Sequence, residues 1–331
     1  MPTSLDVARL AGVSQSTVSR ALRDSPRVSP ETRQRVRQAA EELEYVLQES
    51  GRSLSTRTSH RVAIISEALS NPYFAELVDY LRRLLAARGY KSVFLADSSD
   101  EILTSNMLTD GSYDGAVITT AARDSRLAAD LRHREFPHVF VNRSVDDPLS
   151  VTCEFDNEKG AQLVAELLVK NGHKDIRMIS GPSRFSTAYQ RSSGLVVGLQ
   201  RLGVDVGPDA IVECDYTIEG AGRAAALDIL GGPNRPTALV CVNDFLAIGA
   251  LNAARRLGIG VPDELTIIGF DDISYASWDL VALTTVRGDQ QELASAGVAQ
   301  LVEMMEGSTT PRRMVLDVDM VLRSTHGPAT A

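Results

Sequence analysis

Leu5-Asp6-Val7-Ala8-Arg9-Leu10-Ala11-Gly12-Val13-Ser14-Gln15-Ser16-Thr17-Val18-Ser19-Arg20 reads as helix, glycine turn, helix. Thr3 and Ser4 supply cap oxygens ahead of the first helix, and Leu5, Val7 and Ala8 begin its apolar face. Gly12 ends that helix. Ser14 caps a second, which runs to about Leu22 with Val18 and Ala21 turned inward. A third opens with Ser29-Pro30-Glu31: a cap, a proline in the first turn, and an acid at the positive helix end. Val36, Ala39, Ala40 and Leu43 then recur at helical spacing. With Val7, Ala8, Val13 and Val18 locking the first two helices, the second presents Gln15, Ser16, Ser19 and Arg20 outward, with Thr17 at the edge. Gln pairs with adenine edges and Arg with guanine, while Ser and Thr serve bases or phosphates. The same pattern also fits a small three-helix bundle with an ordinary polar face.

Charge separates the two readings. The 331 residues carry a net −9, which disfavours a polyanion partner for the chain as a whole. Residues 1–40 differ: Arg9, Arg20, Arg23, Arg27, Arg33, Arg35 and Arg37 stand against Asp6, Asp24 and Glu31, a net +4. Every cation there is Arg, the better fork for phosphate and guanine. The caps Ser4 and Ser14 add backbone amides aimed at phosphate. A basic head on an acidic body points to a polyanion partner, and with the polar face of the second helix that partner is expected to be double-stranded DNA.

Residues 46–60 are rich in Ser and Thr and poor in core residues, so they are expected to link a head, 1–45, to a body, 61–331. From Arg61 short apolar runs alternate with amphipathic stretches. Strands are expected at 62–65, 92–96, 115–119, 138–142, 176–180, 211–214, 238–242 and 265–269. Helices are expected at 74–88, 159–171, 191–202, 219–230 and 245–257. That alternation means parallel sheets covered on both faces, and eight strands suffice for two doubly wound lobes.

Several classes are disfavoured. A composition of 44% hydrophobic and 23% charged residues is that of a folded globular chain. The opening Met-Pro-Thr-Ser-Leu-Asp has no apolar leader, and runs such as 238–242 and 245–251 fall far short of the ~20 residues a bilayer needs, so a cytoplasmic location and no membrane role are expected. Cys153, Cys214 and Cys241 form no Cys-x-x-Cys pair and fit reduced thiols. No Gly-x-Ser-x-Gly, phosphate-loop or His-Glu-x-x-His motif is present, and the five histidines lack ligand spacing. No catalytic residue, cofactor or metal site is therefore expected.

Ligands of open α/β sheets sit at the carboxyl ends of strands. Asn142, Asn243, Asp244, Asp271 and Asp272 fall at such ends, Arg191 begins a helix, and Tyr216 follows a strand. Arg and Asp can pair with neighbouring hydroxyls, while Tyr73, Phe74 and Tyr216 can cover a sugar face or stack on a purine. Asp244 and Asp272 fit helix-capping or packing acids equally well, Phe155 and Tyr73 fit the core, and Arg191 could serve a structural carboxylate.

Residues 3–45 resemble the DNA-binding head of the LacI/GalR (lactose-repressor) family. The match runs through Asp6-Val7-Ala8, Ala11-Gly12-Val13-Ser14, Thr17-Val18-Ser19-Arg20, Val28-Ser29-Pro30-Glu31-Thr32-Arg33 and Tyr45. It continues through Asn71-Pro72-Tyr73-Phe74, Asp114-Gly115, Asn142-Arg143, Asp156-Asn157, Gly172-His173, Gly181-Pro182, Arg191 with Gly194, Asn243-Asp244 and Gly269-Phe270-Asp271-Asp272. The resemblance implies a homodimeric transcription regulator on a pseudo-palindromic operator. It also implies a periplasmic-binding-protein-like body holding a small-molecule effector, most simply a sugar, alternatively a purine. It supports Tyr73, Phe74, Asn142, Phe155, Arg191, Tyr216, Asn243 and Asp271 as effector contacts, and Leu54 as a wedge from a hinge helix into the minor groove. The chain departs from the family at that hinge. Leu47-Gln48 replaces the usual Pro-Asn, Gly51 replaces Ala at a helix cost of ~1 kcal/mol, and Glu49 adds a negative charge near phosphates. No heptad tail follows Arg323, so a coiled-coil tetramer is not expected.

Overall fold

The computed structural model describes residues 2–22, 24–45, 58–67, 69–97, 104–215, 220–307 and 312–330. The chain divides into two compact units, Met1–Ser59 and His60–Ala331.

The first unit holds α1 (Ser4–Ala11), α2 (Gln15–Leu22) and α3 (Pro30–Glu42). Thr3 and Asp6 form a reciprocal capping box at the start of α1, and Gly12 ends it in the left-handed conformation at φ 66°. Ser29 caps α3 through the Thr32 amide, with Pro30 in the first turn. Val7, Ala8, Ala11, Val18, Ala21, Val28, Val36, Ala39 and Ala40 form the core. Leu5 is not part of it: the side chain is 54% exposed, because the apolar stripe of α1 runs through Val7, Ala8 and Ala11 instead.

The second unit has two lobes, each built on a six-stranded sheet. One lobe contains β1 (Arg61–Ser66), α4 (Pro72–Ala87), β2 (Lys91–Ala96), α5 (Ser105–Leu108), β3 (Gly115–Ile118), α6 (Leu127–His133), β4 (His138–Val141) and β5 (Thr152–Phe155). The chain then enters the other lobe through α7 (Asn157–Lys170), β6 (Ile176–Ser180), α8 (Ser186–Arg201), β7 (Ile211–Glu213), α9 (Ala221–Gly231), β8 (Ala238–Cys241), α10 (Asp244–Leu257), β9 (Thr266–Asp271) and β10 (Thr284–Arg287). It returns with α11 (Gln290–Met305) and β11 (Arg313–Leu316), and ends in the second lobe with β12 (Asp319–Val321).

The strand orders are β11-β5-β4-β3-β1-β2 and β12-β10-β9-β8-β6-β7. All pairings are parallel except β10 with β12. The central strands β3, β4 and β8 are buried at every position, which explains why they read as near-continuous apolar runs rather than alternating ones, whereas β5 is equally buried but carries Thr152 and Glu154 and gives no such run. The eight expected strands are present, with four more: β5, β10, β11 and β12. These are three or four residues long, and β10 opens on Thr284-Thr285 rather than on aliphatics. Helices α5, α6 and α11 also lie outside the expected set: α5 and α6 are only four and seven residues long, and the Ala, Gln and Glu content of α11 gives a weak apolar stripe. Helix α8 starts at Ser186, ahead of the expected Arg191, so Arg191 lies inside the helix.

Helices α9 and α10 cross at contact distance. A Cβ on Gly222 would stand 2.7 Å from the Leu246 carbonyl oxygen, and one on Gly249 would stand 2.7 Å from the Arg223 nitrogen.

Candidate functional site

In the helix-turn-helix, Ser14 caps α2 by accepting from the Thr17 amide at 3.2 Å, and its hydroxyl lies 2.9 Å from Ser16 Oγ and 2.8 Å from Thr17 Oγ1. Gln15 Nε2 donates to Ser4 Oγ at 2.7 Å, tying the first residue of α2 to the first of α1. Gln15, Ser16 and Arg20 are exposed, while Thr17 and Ser19 are half-buried. The expected reading face is therefore brought together on one helix. Leu54 lies outside the described residues, as does the linker from 46 to 57.

In the body, one cavity between the lobes is lined by Asn71, Tyr73, Phe74, Asn142, Arg143, Thr187, Ala188, Arg191, Val242, Asn243 and Asp271. Six of the eight expected effector residues are among them. Phe155 is not: its ring packs over Gly288 in the core, where a Cβ would come within 2.4 Å of it. Tyr216 lies outside the described residues. Asn71, Arg143, Thr187, Ala188 and Val242 were not anticipated. For Arg143 the signal was available, because it directly follows the strand-end residue Asn142.

Arg191 organises one wall. It meets Asp271 Oδ1 at 2.9 Å, donates to Asn157 Oδ1 at 2.8 Å and to the Val242 carbonyl at 2.7 Å, and stacks 3.7 Å over the Phe270 ring. Burial pushes the Asp271 carboxyl up to about 6, and the Arg191 charge opposes the rise. The backbone is strained where β9 ends, with φ 122° at Asp271 and 53° at Asp272. Asn243 caps α10 by accepting from the Leu246 amide at 2.8 Å, so its Nδ2 donor is what it offers the cavity.

The facing wall repeats this pattern. Asn142 follows β4 with φ 75° and accepts from Tyr73 Oη at 2.8 Å. Burial and the Asp271 charge raise the Tyr73 phenol well above its ordinary range, so it remains an O–H donor. Arg143 pairs with Glu67 at 2.7 Å and lies 3.9 Å over the ring of Phe185 from the opposite lobe. Further links cross between the lobes. The Arg123 amide donates to the Arg184 carbonyl at 2.8 Å, the Ser144 amide to Ser186 Oγ at 2.9 Å, and the Arg123 guanidinium stacks 3.9 Å over Tyr189.

Asp244 and Asp272 resolve as packing acids. Asp244 is fully buried, accepts from Thr285 Oγ1 at 2.5 Å and the Ile273 amide at 3.0 Å, and is pushed up to about 8 by burial and by the Asp271 charge. Asp272 meets Arg323 at 2.6 Å.

A helix-turn-helix unit with a two-lobed, ligand-cleft body defines a DNA-binding transcription regulator. Residues 3–48 match the bacterial regulatory proteins of the lacI family, and residues 165–326 match a periplasmic binding protein-like domain. The HTH-type transcriptional repressor CytR of Escherichia coli (strain K12) is 31% identical over 97% of this chain and 95% of its own length. The probable HTH-type transcriptional repressor ExuR of Bacillus subtilis (strain 168) is 29% identical over 96% of each. Among solved structures, the lac repressor dimer bound to operator and the anti-inducer ONPF superposes with a TM-score of 0.84 at 27% identity, over 98% of both chains. The chain belongs to the LacI family of bacterial regulatory proteins. The members it matches are regulators rather than enzymes, and among the described residues no helix is long and apolar enough to cross a membrane.

Proposed function

We propose that the chain acts in the cytoplasm as a homodimeric, non-catalytic repressor whose hold on a pseudo-palindromic operator is set by a small, sugar-like effector. Gln15, Ser16, Ser19 and Arg20 read base edges. Ser4, Ser14 and Thr17 position the helix on phosphates, and Leu54 wedges the minor groove from a linker at 46–60. Tyr73, Phe74, Asn142, Arg191, Asn243 and Asp271 hold the effector, with Phe155 supporting the crossover beside them and Tyr216 covering the ligand. The observation that carries the reading is the Arg191–Asp271 pair, a buried and strained polar centre at the carboxyl end of a parallel sheet, facing Asn142 at the equivalent position of the other lobe. Effector seated across both strand ends changes the lobe angle, and with it the spacing of two heads fixed on half-sites. Coupling of ~1–3 kcal/mol is the expected scale.

The test is selection of duplexes from a random pool by the full chain, followed by anisotropy titrations with and without sugars and purines. Recovery of a two-fold symmetric site whose affinity shifts with one metabolite supports the proposal. Absence of any sequence preference at low salt refutes it.

A further inference from the structure

A second groove adjoins the cleft at Asp271. This groove, of about 520 Å³, opens beside α4 and the β10–α11 crossover, and Asp271 lines both it and the inner cavity. Charge lining the cavity and the groove is matched or in negative surplus. Within the inner cavity Arg191 is paired with Asp271 and Arg143 with Glu67. The groove adds Glu76, Asp289, Glu292 and Asp319, against Arg287 as the one cation among its described lining residues. Its other carboxylates, Asp272 and Asp317, are already paired with Arg323 and Lys159.

Gln290 supplies an independent observation. It is 7% exposed, lines the groove at the start of α11, and its Oε1 is buried with no hydrogen-bond partner among the described residues. An unmet buried acceptor calls for a donor. Hydroxyls and amines donate, whereas phosphates and carboxylates only accept and meet a repulsive field here.

We infer that the effector is a donor-rich molecule without negative charge, reaching from the Arg191–Asp271 pair onto Gln290, and that sugar phosphates and uronates are refused. This rests on the effector reading of the cleft proposed above. Specificity then comes from repulsion of anions as much as from attraction of the ligand.

Calorimetric titration of the full chain with matched sets tests this: glucose, glucosamine, glucuronate and glucose 6-phosphate; galactose and galacturonate; cellobiose; cytidine and cytidine monophosphate. At least one neutral or amino member is expected to bind, with its anionic counterpart about ten-fold weaker or worse. Glu292→Gln narrows that gap, and Gln290→Leu weakens the neutral member. An anion that binds as tightly as its neutral counterpart overturns the inference, as does a panel in which nothing binds. Asn243→Ser keeps a cap oxygen but withdraws the Nδ2 donor from the cavity, and so separates the two claims. Anion binding that is lost in Asn243→Ser spares the effector cleft and sinks the charge rule. A ligand indifferent to Asn243→Ser that never shifts DNA affinity counts against the cleft itself.

Discussion

Arg191 and Asp271 meet at 2.9 Å with side chains only 5% and 6% exposed. Two charges this deep persist because the remaining polar atoms are satisfied: Arg191 also bonds Asn157 and the Val242 carbonyl. Removing one partner leaves the other charge buried and unmatched. Asp271→Ala is therefore expected to cost the body about 3–5 kcal/mol in denaturant unfolding and to abolish effector response, while the folded fraction still binds operator. A loss below about 1 kcal/mol, or a normal response in a reporter strain, contradicts this account.

Asp244 sets a pH dependence. Its carboxyl is raised to about 8 in the folded body, from an ordinary 3.8. Between those values the folded state holds a proton that the unfolded chain releases, so this contribution to stability is complete below about pH 4 and is lost as pH rises through 8. Asp271, raised to about 6, adds to the slope between about pH 4 and 6. Asp244→Asn can accept from Ile273 and donate to Thr285 without titrating. It should flatten the unfolding midpoint between pH 5 and 9 and raise it at the alkaline end. Parallel wild-type and mutant curves would exclude Asp244 as the source.

The head was legible almost residue by residue because its signals are local. Thr3, Gly12, Ser14 and Ser29 each cap the helix they precede or follow, and a cap declares itself within four residues. In the body, strand ends could be placed because buried apolar strands stop at Asn142 and Asp271. Long-range partners could not be read, since Arg143 finds Phe185 across the cleft and Arg191 finds Asn157 within its own lobe only through the fold. Phe155 misled for a related reason: an aromatic at a strand end points either into the cleft or into the core, and the space over Gly288 decides for the core. The short strands β11 and β12 carry too few residues for a period to emerge.

Arg20 and Ser4 should fail in different ways. Arg20 is exposed on α2 and makes no structural ion pair among the described residues, so Arg20→Ala should leave the melting temperature unchanged while erasing discrimination between operator and random duplex. Ser4→Ala releases Gln15 Nε2 from its 2.7 Å bond and should weaken operator binding by a smaller factor, through a less ordered Gln15. Footprints of both variants identical to wild type would remove this face from recognition.

Gly222 is a packing constraint with a measurable cost. A methyl group there would stand 2.7 Å from the Leu246 carbonyl and 2.8 Å from its Cα, both backbone atoms that cannot swing aside. Although Ala favours a helix over Gly by ~1 kcal/mol, the clash between α9 and α10 outweighs it. Gly222→Ala is expected to destabilise the body by about 1–3 kcal/mol, against a gain at an uncrowded helical glycine. Higher stability in urea would show that these helices are not in contact.

The inner cavity measures about 30 Å³, room for roughly two waters and none for a sugar ring. Entry therefore requires the lobes to part, and the rim contacts resist it. Of these, the Arg123 guanidinium stacked 3.9 Å over Tyr189 is the most accessible, since Tyr189 is 45% exposed. An exposed stack of this kind contributes about 0.5–1 kcal/mol, enough to change the ratio of parted to closed lobes by about two- to five-fold. Tyr189→Ser should accordingly raise the stopped-flow association rate of effector by about that factor and leave the Arg191–Asp271 chemistry intact. If dissociation accelerates while association does not move, Tyr189 touches the ligand instead of guarding the rim, and the lobes open elsewhere.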